Sequence, residues 1–456
     1  MLKLPTNYNP SEDINPSDPQ NKELVHTNSN NNDKVVTATL TTLSEKPVNH
    51  TLVLAVCGIG MFTDAYDLFI ASMAEPFVKQ GFNVSGLELG LMQASAPLGA
   101  ALGAFMVGML ADKFGRKSLM FLNLLAFILV SLLSSCAWSP ASFIFFRFFV
   151  GFWVGADYPI CASYLAEIAQ GRRGKSVALI RIINALGYPI GALTAFLVIQ
   201  IDSSNNAWRW MLALGAIPAI IGSILRTQLP ESFVWKSAQR IKTSLSGLKK
   251  ILGSQYRKKT FIASSCYALK DVSEYGIHMF MPTILMALHI SKATTPFENI
   301  SNALKTTILT SLAIVIGCIV ARLIINKFDR RTYQIIWFTM SALCLMSLGL
   351  GLFNSFFTLP AFIIIMFILY NFFQAMVGTA TYLIPAELYE TSVRATGHGF
   401  VSSMGKLGAF FGTMFLPLLE QSYGIYITVM IMSLPLLLSA LLSRLYPTGI
   451  AQMNLR

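Results

Sequence analysis

A chain of 456 residues that is 54% hydrophobic and only 12% charged is far below the roughly 25% charged residues of an average soluble domain, so a soluble globular protein is excluded and a polytopic membrane protein is expected. The net charge of +12 sits in alternate loops between apolar spans, which argues for a topology signal and against nucleic-acid binding. The six cysteines fall in or beside apolar spans without CxxC spacing, so neither a disulfide framework nor a metal site is expected, and no cofactor is called for.

Residues 1–48 are polar, with an asparagine-rich run from Asn28 to Asn32, and read as a disordered cytoplasmic tail rather than a signal peptide. Twelve spans are predicted after it, at 50–76, 87–111, 118–138, 140–168, 176–200, 207–228, 260–289, 305–326, 332–353, 357–386, 396–419 and 423–445. Basic residues follow the second span (Lys113, Arg116, Lys117), the fourth (Arg172, Arg173, Lys175) and the eighth (Lys327, Arg330, Arg331). They also fill the central loop, to which Arg226 is assigned together with Lys236, Arg240, Lys242, Lys249, Lys250, Arg257, Lys258 and Lys259. The loops between carry only scattered bases, so both termini are expected in the cytoplasm. The predicted organisation is an all-α membrane protein of two pseudo-symmetric six-helix bundles, 49–228 and 260–446. A basic cytoplasmic loop, 229–259, joins them, and a short tail, 447–456, ends the chain.

The first span carries Asp64 and Asp67, three residues apart and on one helix face. An ionised carboxylate near the bilayer centre costs about 2.5–3.5 kcal/mol by insertion scales, so these two acids are expected to serve a function. The other ionisable residues inside spans are Arg147, Asp157, Arg181, Lys270, Asp271, Glu274, His278 and Lys406. Buried charges must pair or be neutralised, and acids outnumber bases in the first and fourth spans, which is the raw material of proton coupling. Arg147 precedes Asp157 by about 15 Å of helix, too far to pair with it, and is read as tuning a relay on the cytoplasmic side of the midplane. A salt bridge from Asp64 or Asp67 to Lys406 is the structural alternative.

The halves echo each other. Gly108-Met-Leu-Ala-Asp112-Lys-Phe-Gly115-Arg116-Lys117 closes the second span, and Arg322-Leu-Ile-Ile-Asn326-Lys-Phe-Asp329-Arg330-Arg331 closes the eighth. Tyr164-Leu-Ala-Glu167 ends the fourth, and Ile384-Pro-Ala-Glu387 ends the tenth. Such duplication is the usual architecture of carriers that rock about a midplane site. Small residues at four-residue spacing (Ser95, Gly99 and Gly103; Gly151 and Gly155; Gly187 and Gly191; Gly408 and Gly412) read as helix-packing surfaces.

The second-span motif resembles the signature of the major facilitator superfamily, with Gly108, Asp112, Gly115, Arg116 and Lys117 as its conformational residues. Five further stretches resemble the proton-coupled phosphate symporters of that superfamily: Gly58 to Phe69, Arg147 to Pro159, Asp271 to Gly276, Pro385 to Gly399, and Gly405 to Ala409. The resemblance implies proton transfer by Asp64, Asp67 and Asp157, with Arg147 beside them. It implies substrate contact by Tyr158, Asn184, Tyr267, Asp271, Tyr275 and Lys406. An ionised Asp271 accepts hydrogen bonds only, so it suits dihydrogen phosphate better than sulfate.

The chain departs from that pattern in five places, one of them after the last span, where Tyr446-Pro447-Thr448-Gly449 stands instead of a Pro-Glu-Thr-type motif. Met376-Val377-Gly378 replaces a run bearing a phosphate-contacting asparagine, and Tyr267 replaces a tryptophan. Lys270 with Glu274, and Arg181, are extra intramembrane charges. The expectation is therefore a proton symporter importing a small anion, inorganic phosphate first, in a plasma or bacterial inner membrane. Its expected partners are the anion, protons and the lipid bilayer, with no obligate protein partner. The alternatives are a carrier of another small polar solute (an organophosphate, carboxylate, sugar or polyol) and a non-transporting nutrient receptor on the same fold. No nucleophile–base pair or metal cluster points to an enzyme.

Overall fold

The structure is a computed structural model and describes residues 50–84, 86–114, 116–168, 173–228, 245–290, 295–390 and 393–446. The expected tails 1–48 and 447–456, most of the central loop, Gly115, and the side chains of Asp112 and Arg116 lie outside the described residues.

The first half contains α1 (His50–Phe82), α2 (Gly86–Phe114), α3 (Arg116–Ser135), α4 (Pro140–Ile168), α5 (Arg173–Ile201) and the pair α6 (Ala207–Leu214) and α7 (Ala216–Arg226). A short helix, α8 (Leu245–Leu252), precedes the second half. That half contains α9 (Arg257–Met279) with α10 (Met281–Ala287), α11 (Pro296–Ile324), α12 (Arg330–Gly349), α13 (Pro360–Leu388), α14 (Arg394–Tyr423), and α15 (Ile425–Ile431) with α16 (Leu434–Ser443). The interrupted pairs each make one crossing, giving six in each half. No strand occurs among the described residues. In a bilayer only an internally hydrogen-bonded backbone is stable, so apolar runs of this length must be helical.

Several helices run past the bounds read from hydropathy. The first continues to Phe82 rather than stopping near residue 76, because Pro76 lies inside a helix whose neighbours hold it. Ten crossings are long and apolar enough to span a membrane by composition. The two that fall short are α9 and α14, the helices that carry Lys270, Asp271, Glu274 and Lys406. Their polar residues are buried against other helices and do not meet lipid.

The small-residue stripes pack as expected. Gly99 and Gly103 of α2 lie against the backbone of α4 at Phe148 and Phe152, and Gly151 and Gly155 of α4 lie against Ala96 and Ala100. Gly187 of α5 faces the backbone of α1, and its counterpart Gly408 of α14 faces Ala268 of α9. Across the halves, α2 packs along α14 and α5 along α11. Gly108 and Gly399 meet there so closely that a Cβ on Gly108 would sit 3.3 Å from the Cα of Gly399. The echoed motifs also touch in the second half, where Arg330 Nη2 pairs with Glu387 Oε1 at 3.0 Å and reaches Asn326 Oδ1 at 3.2 Å. Arg226, at the end of α7, reaches the Met120 carbonyl near the start of α3, beside Lys117, and this marks the basic end of the bundle.

Candidate functional site

Five acids and five cations are buried in the middle of the bundle: Asp64, Asp67, Asp157, Asp271 and Glu274 against Arg147, Arg181, Arg226, Lys270 and Lys406. They form two groups. The first lies along α1. Arg147 Nη1 of α4 donates to Asp67 Oδ2 at 2.7 Å. Further toward the basic end, Arg226 Nη2 donates to Asp157 Oδ2 at 2.6 Å, and Asn123 Nδ2 of α3 donates to Asp157 Oδ1 at 2.6 Å. Arg226 also donates to the Met120 carbonyl. Gly60 sits directly against this pair, with no room for a methyl group. Asp64 is one turn beyond Gly60 and within electrostatic reach of Asp157, Arg226 and Lys406. Its Oδ2 has no hydrogen-bond partner among the described residues, and it makes no ion pair there.

The second group joins α9, α14 and α5. Lys270 pairs with Asp271 at 2.9 Å and also with Glu274, one turn on. Lys406 lies 3.7 Å from Asp271 and donates to the Tyr275 hydroxyl. The Lys406 ammonium stands over the rings of Tyr275 and Tyr158, 4.2 and 4.7 Å from their centroids, in cation–π geometry. Arg181 makes no ion pair among the described residues. Its Nη1 donates to Asn184 Oδ1 at 2.7 Å, Asn184 Nδ2 donates to the Met61 carbonyl at 2.6 Å, and its Nε has no partner. Gly378 faces Arg181 and Lys270: a Cβ at that position would touch both, 3.5 Å from Arg181 Nη2 and from Lys270 Cε.

One contact between the halves lies on each side of the site. At the basic end, the Tyr382 hydroxyl of α13 reaches the Tyr158 carbonyl at 3.5 Å. At the opposite end, Ser72 Oγ of α1 donates to the His278 carbonyl at 2.7 Å.

Three expectations are corrected. Arg226 is not a loop residue: it is 1% exposed and buried as the partner of Asp157. Arg147 lies in the part of α4 nearest the end opposite the basic one, so it is on the other side of the midplane from the relay position assigned to it. Lys406 pairs with Asp271 rather than with Asp64 or Asp67. Tyr267 packs against Gly405, with Lys270 5.5 Å from its ring centroid. Asp271, Tyr275 and Tyr158 lie around Lys406, while Asn184 contacts Arg181 and the Met61 carbonyl.

The profile of the Major Facilitator Superfamily matches residues 57–413, across both halves and every residue of this network. The chain belongs to the major facilitator superfamily. It is a membrane carrier by family and fold, not an enzyme. Curated relatives within the superfamily include the Inorganic phosphate transporter 1-6 of Oryza sativa subsp. japonica, 28% identical, with 82% of this chain and 83% of the relative aligned. The Putative niacin/nicotinamide transporter NiaP of Bacillus subtilis is 27% identical, over 81% of this chain and 88% of the relative. Among solved structures, the xylose transporter XylE from E. coli in a partially occluded inward-open conformation shares the fold with a TM-score of 0.73. It is 19% identical and covers 88% of this chain and 98% of its own.

Sequence reasoning missed Arg226, Asn123 and Glu75. Each carried a signal. Arg226 closes an otherwise apolar span, Asn123 interrupts the third, and Glu75 is a third acid in the first. Arg226 was hidden because a base at a span end reads as the start of a positive loop.

Proposed function

We propose that this carrier takes up a small monovalent anion together with a proton, across a plasma or bacterial inner membrane with both termini in the cytoplasm. One observation carries the reading. When the buried network is paired off, one acid and one cation remain without an ionic partner: Asp64 beside Asp157–Arg226, and Arg181 beside Lys270. The five acids and five cations balance when all are ionised. A proton on Asp64 leaves the network with a charge of +1, and one monovalent anion at Arg181 restores neutrality. Burial disfavours net charge, so the two ligands are best accommodated together.

Inorganic phosphate is the first candidate. As the monoanion it donates to Asp271 and accepts from Lys406 and the Tyr275 hydroxyl. Gly378 removes a donor, but the guanidinium of Arg181 lies beside it. The sequence similarity to the rice phosphate transporter supports the same choice. A second reading, an aromatic carboxylate, is favoured by the rings around the site, Tyr188 against Phe69 and His278, and Tyr158 against Tyr382. A carboxylate would take Arg181, and a flat ring would fit between the tyrosines.

Thermal stabilisation of the purified full-length protein by phosphate, sulfate, nicotinate and xylose separates these readings. Phosphate or nicotinate, but not sulfate or xylose, should raise Tm, and Arg181→Ala should remove the shift. Stabilisation by xylose alone would overturn the anion reading.

A further inference from the structure

Glu75 lies on α1 three turns beyond Asp64, toward the end opposite the basic one, and is fully buried. Its Oε2 accepts a hydrogen bond from Thr283 of α10, so the contact joins the two halves of the protein. Its Oε1 has no partner among the described residues, and it forms no ion pair there. The charged groups within its electrostatic reach are Lys79, one turn on along its own helix, and Glu420 of α14. His278, the titratable group of α9 nearest this seam, turns its ring away to Asn371, with Nε2 2.9 Å from Asn371 Oδ1. Thr283, Lys79, Glu420, Gln421 and Phe280 line a cavity of about 270 Å³. Lys79 and Gln421 are exposed, so that cavity reaches the protein surface.

We infer that Glu75 is a proton-binding site that latches the end of the carrier opposite its basic end, closed through Thr283 when protonated and released when ionised. A buried carboxylate with one neutral hydrogen bond and no ion pair is costly, whereas the neutral acid is not. While α1 and α10 are in contact, the acid is shielded. Parting them lets cavity water reach both oxygens, and the carboxylate is then hydrated. Closure and protonation therefore favour each other, and by linkage each shifts the other by the same factor. Low pH closes this end and high pH opens it. The break between α9 and α10 at Phe280, followed by Pro282, turns the chain so that Thr283 faces Glu75. Ser72, one turn deeper on α1, holds the same seam through the His278 carbonyl.

The test uses the full-length protein in lipid nanodiscs. Cys136 is the exposed cysteine among six and is replaced by serine. Spin labels are placed at Gln80→Cys on α1 and Phe297→Cys on α11, both exposed at this end. Pulsed electron paramagnetic resonance then gives the ratio of open to closed distances between pH 5 and pH 9, without substrate. The ratio should rise by about tenfold or more, a common size for coupling between two sites. Glu75→Gln should stay closed at every pH. Thr283→Val should shift the ratio toward open at each pH while keeping the dependence, which guards against a misfolded Glu75 variant. Glu420→Gln should leave the dependence in place. A wild-type ratio that ignores pH, a dependence that survives Glu75→Gln, or one abolished only by Glu420→Gln overturns the proposal. None of these outcomes depends on which solute is carried, so failure here is distinguishable from failure of the anion reading.

Discussion

The pair Asp157–Arg226 gives the sharpest energetic prediction. Its partners are 0% and 1% exposed at the side chain and 2.6 Å apart, and the acid takes a second hydrogen bond from Asn123. Removing one partner of such a buried pair strands the other charge and costs about 3–5 kcal/mol. That is a large share of the roughly 5–15 kcal/mol that holds a typical domain together. Removing both charges with residues of similar shape should be far cheaper, because nothing is left uncompensated. Arg226→Met alone should therefore destabilise strongly, as should Asp157→Asn to a lesser degree, since asparagine keeps hydrogen-bonding capacity. The double variant Asp157→Asn/Arg226→Met should recover most of the loss. Equilibrium unfolding in mixed micelles measures all four proteins, and the cycle isolates the pair's coupling. The reasoning is refuted if Arg226→Met costs less than about 1 kcal/mol, or if the double variant loses the sum of the two singles.

Three further outcomes are expected. Lys406→Ala should weaken anion binding at least tenfold by calorimetry while leaving Asp67–Arg147 intact; unchanged affinity would place the anion elsewhere. Gly408→Leu should prevent correct assembly, because its side chain would collide with the Ala268 backbone. Overpacking of this kind costs about 1–3 kcal/mol or more, and a wild-type melting profile would contradict the packing described. Lys250→Ala should leave stability unchanged at physiological salt. Glu390 beside it holds the ammonium above its usual value, which would add stability only below that range and lose it in strong alkali. Both side chains are more than two-fifths exposed, however, and water and salt screen the pair.

Much of the fold was legible because a bilayer leaves few choices. Apolar length predicts the helices, and glycine spacing predicts which faces meet. The α9 and α14 crossings are the informative exceptions. Their composition falls short of a membrane span, and the polar residues responsible are buried among other helices. The site was legible as a set of residues but not as a set of pairs. Which acid meets which base depends on helix rotation and tilt, which a sequence does not encode one residue at a time. Arg226 shows the limit: loop charge and buried counter-ion have the same sequence appearance, and only the approach of α4 to α7 separates them. Lys270 and Glu274, at one-turn spacing, pair with each other, with Asp271 as a third member.

The central claim is that one proton at Asp64 accompanies one monovalent anion. Accumulation of labelled phosphate or nicotinate in proteoliposomes, with and without an inward proton gradient, tests it most directly. Wild-type protein should concentrate the anion only when the gradient is present. Asp64→Asn should still exchange labelled for unlabelled anion but should not concentrate it. Concentrative uptake without a gradient, or wild-type gradient-driven uptake by Asp64→Asn, would contradict the account.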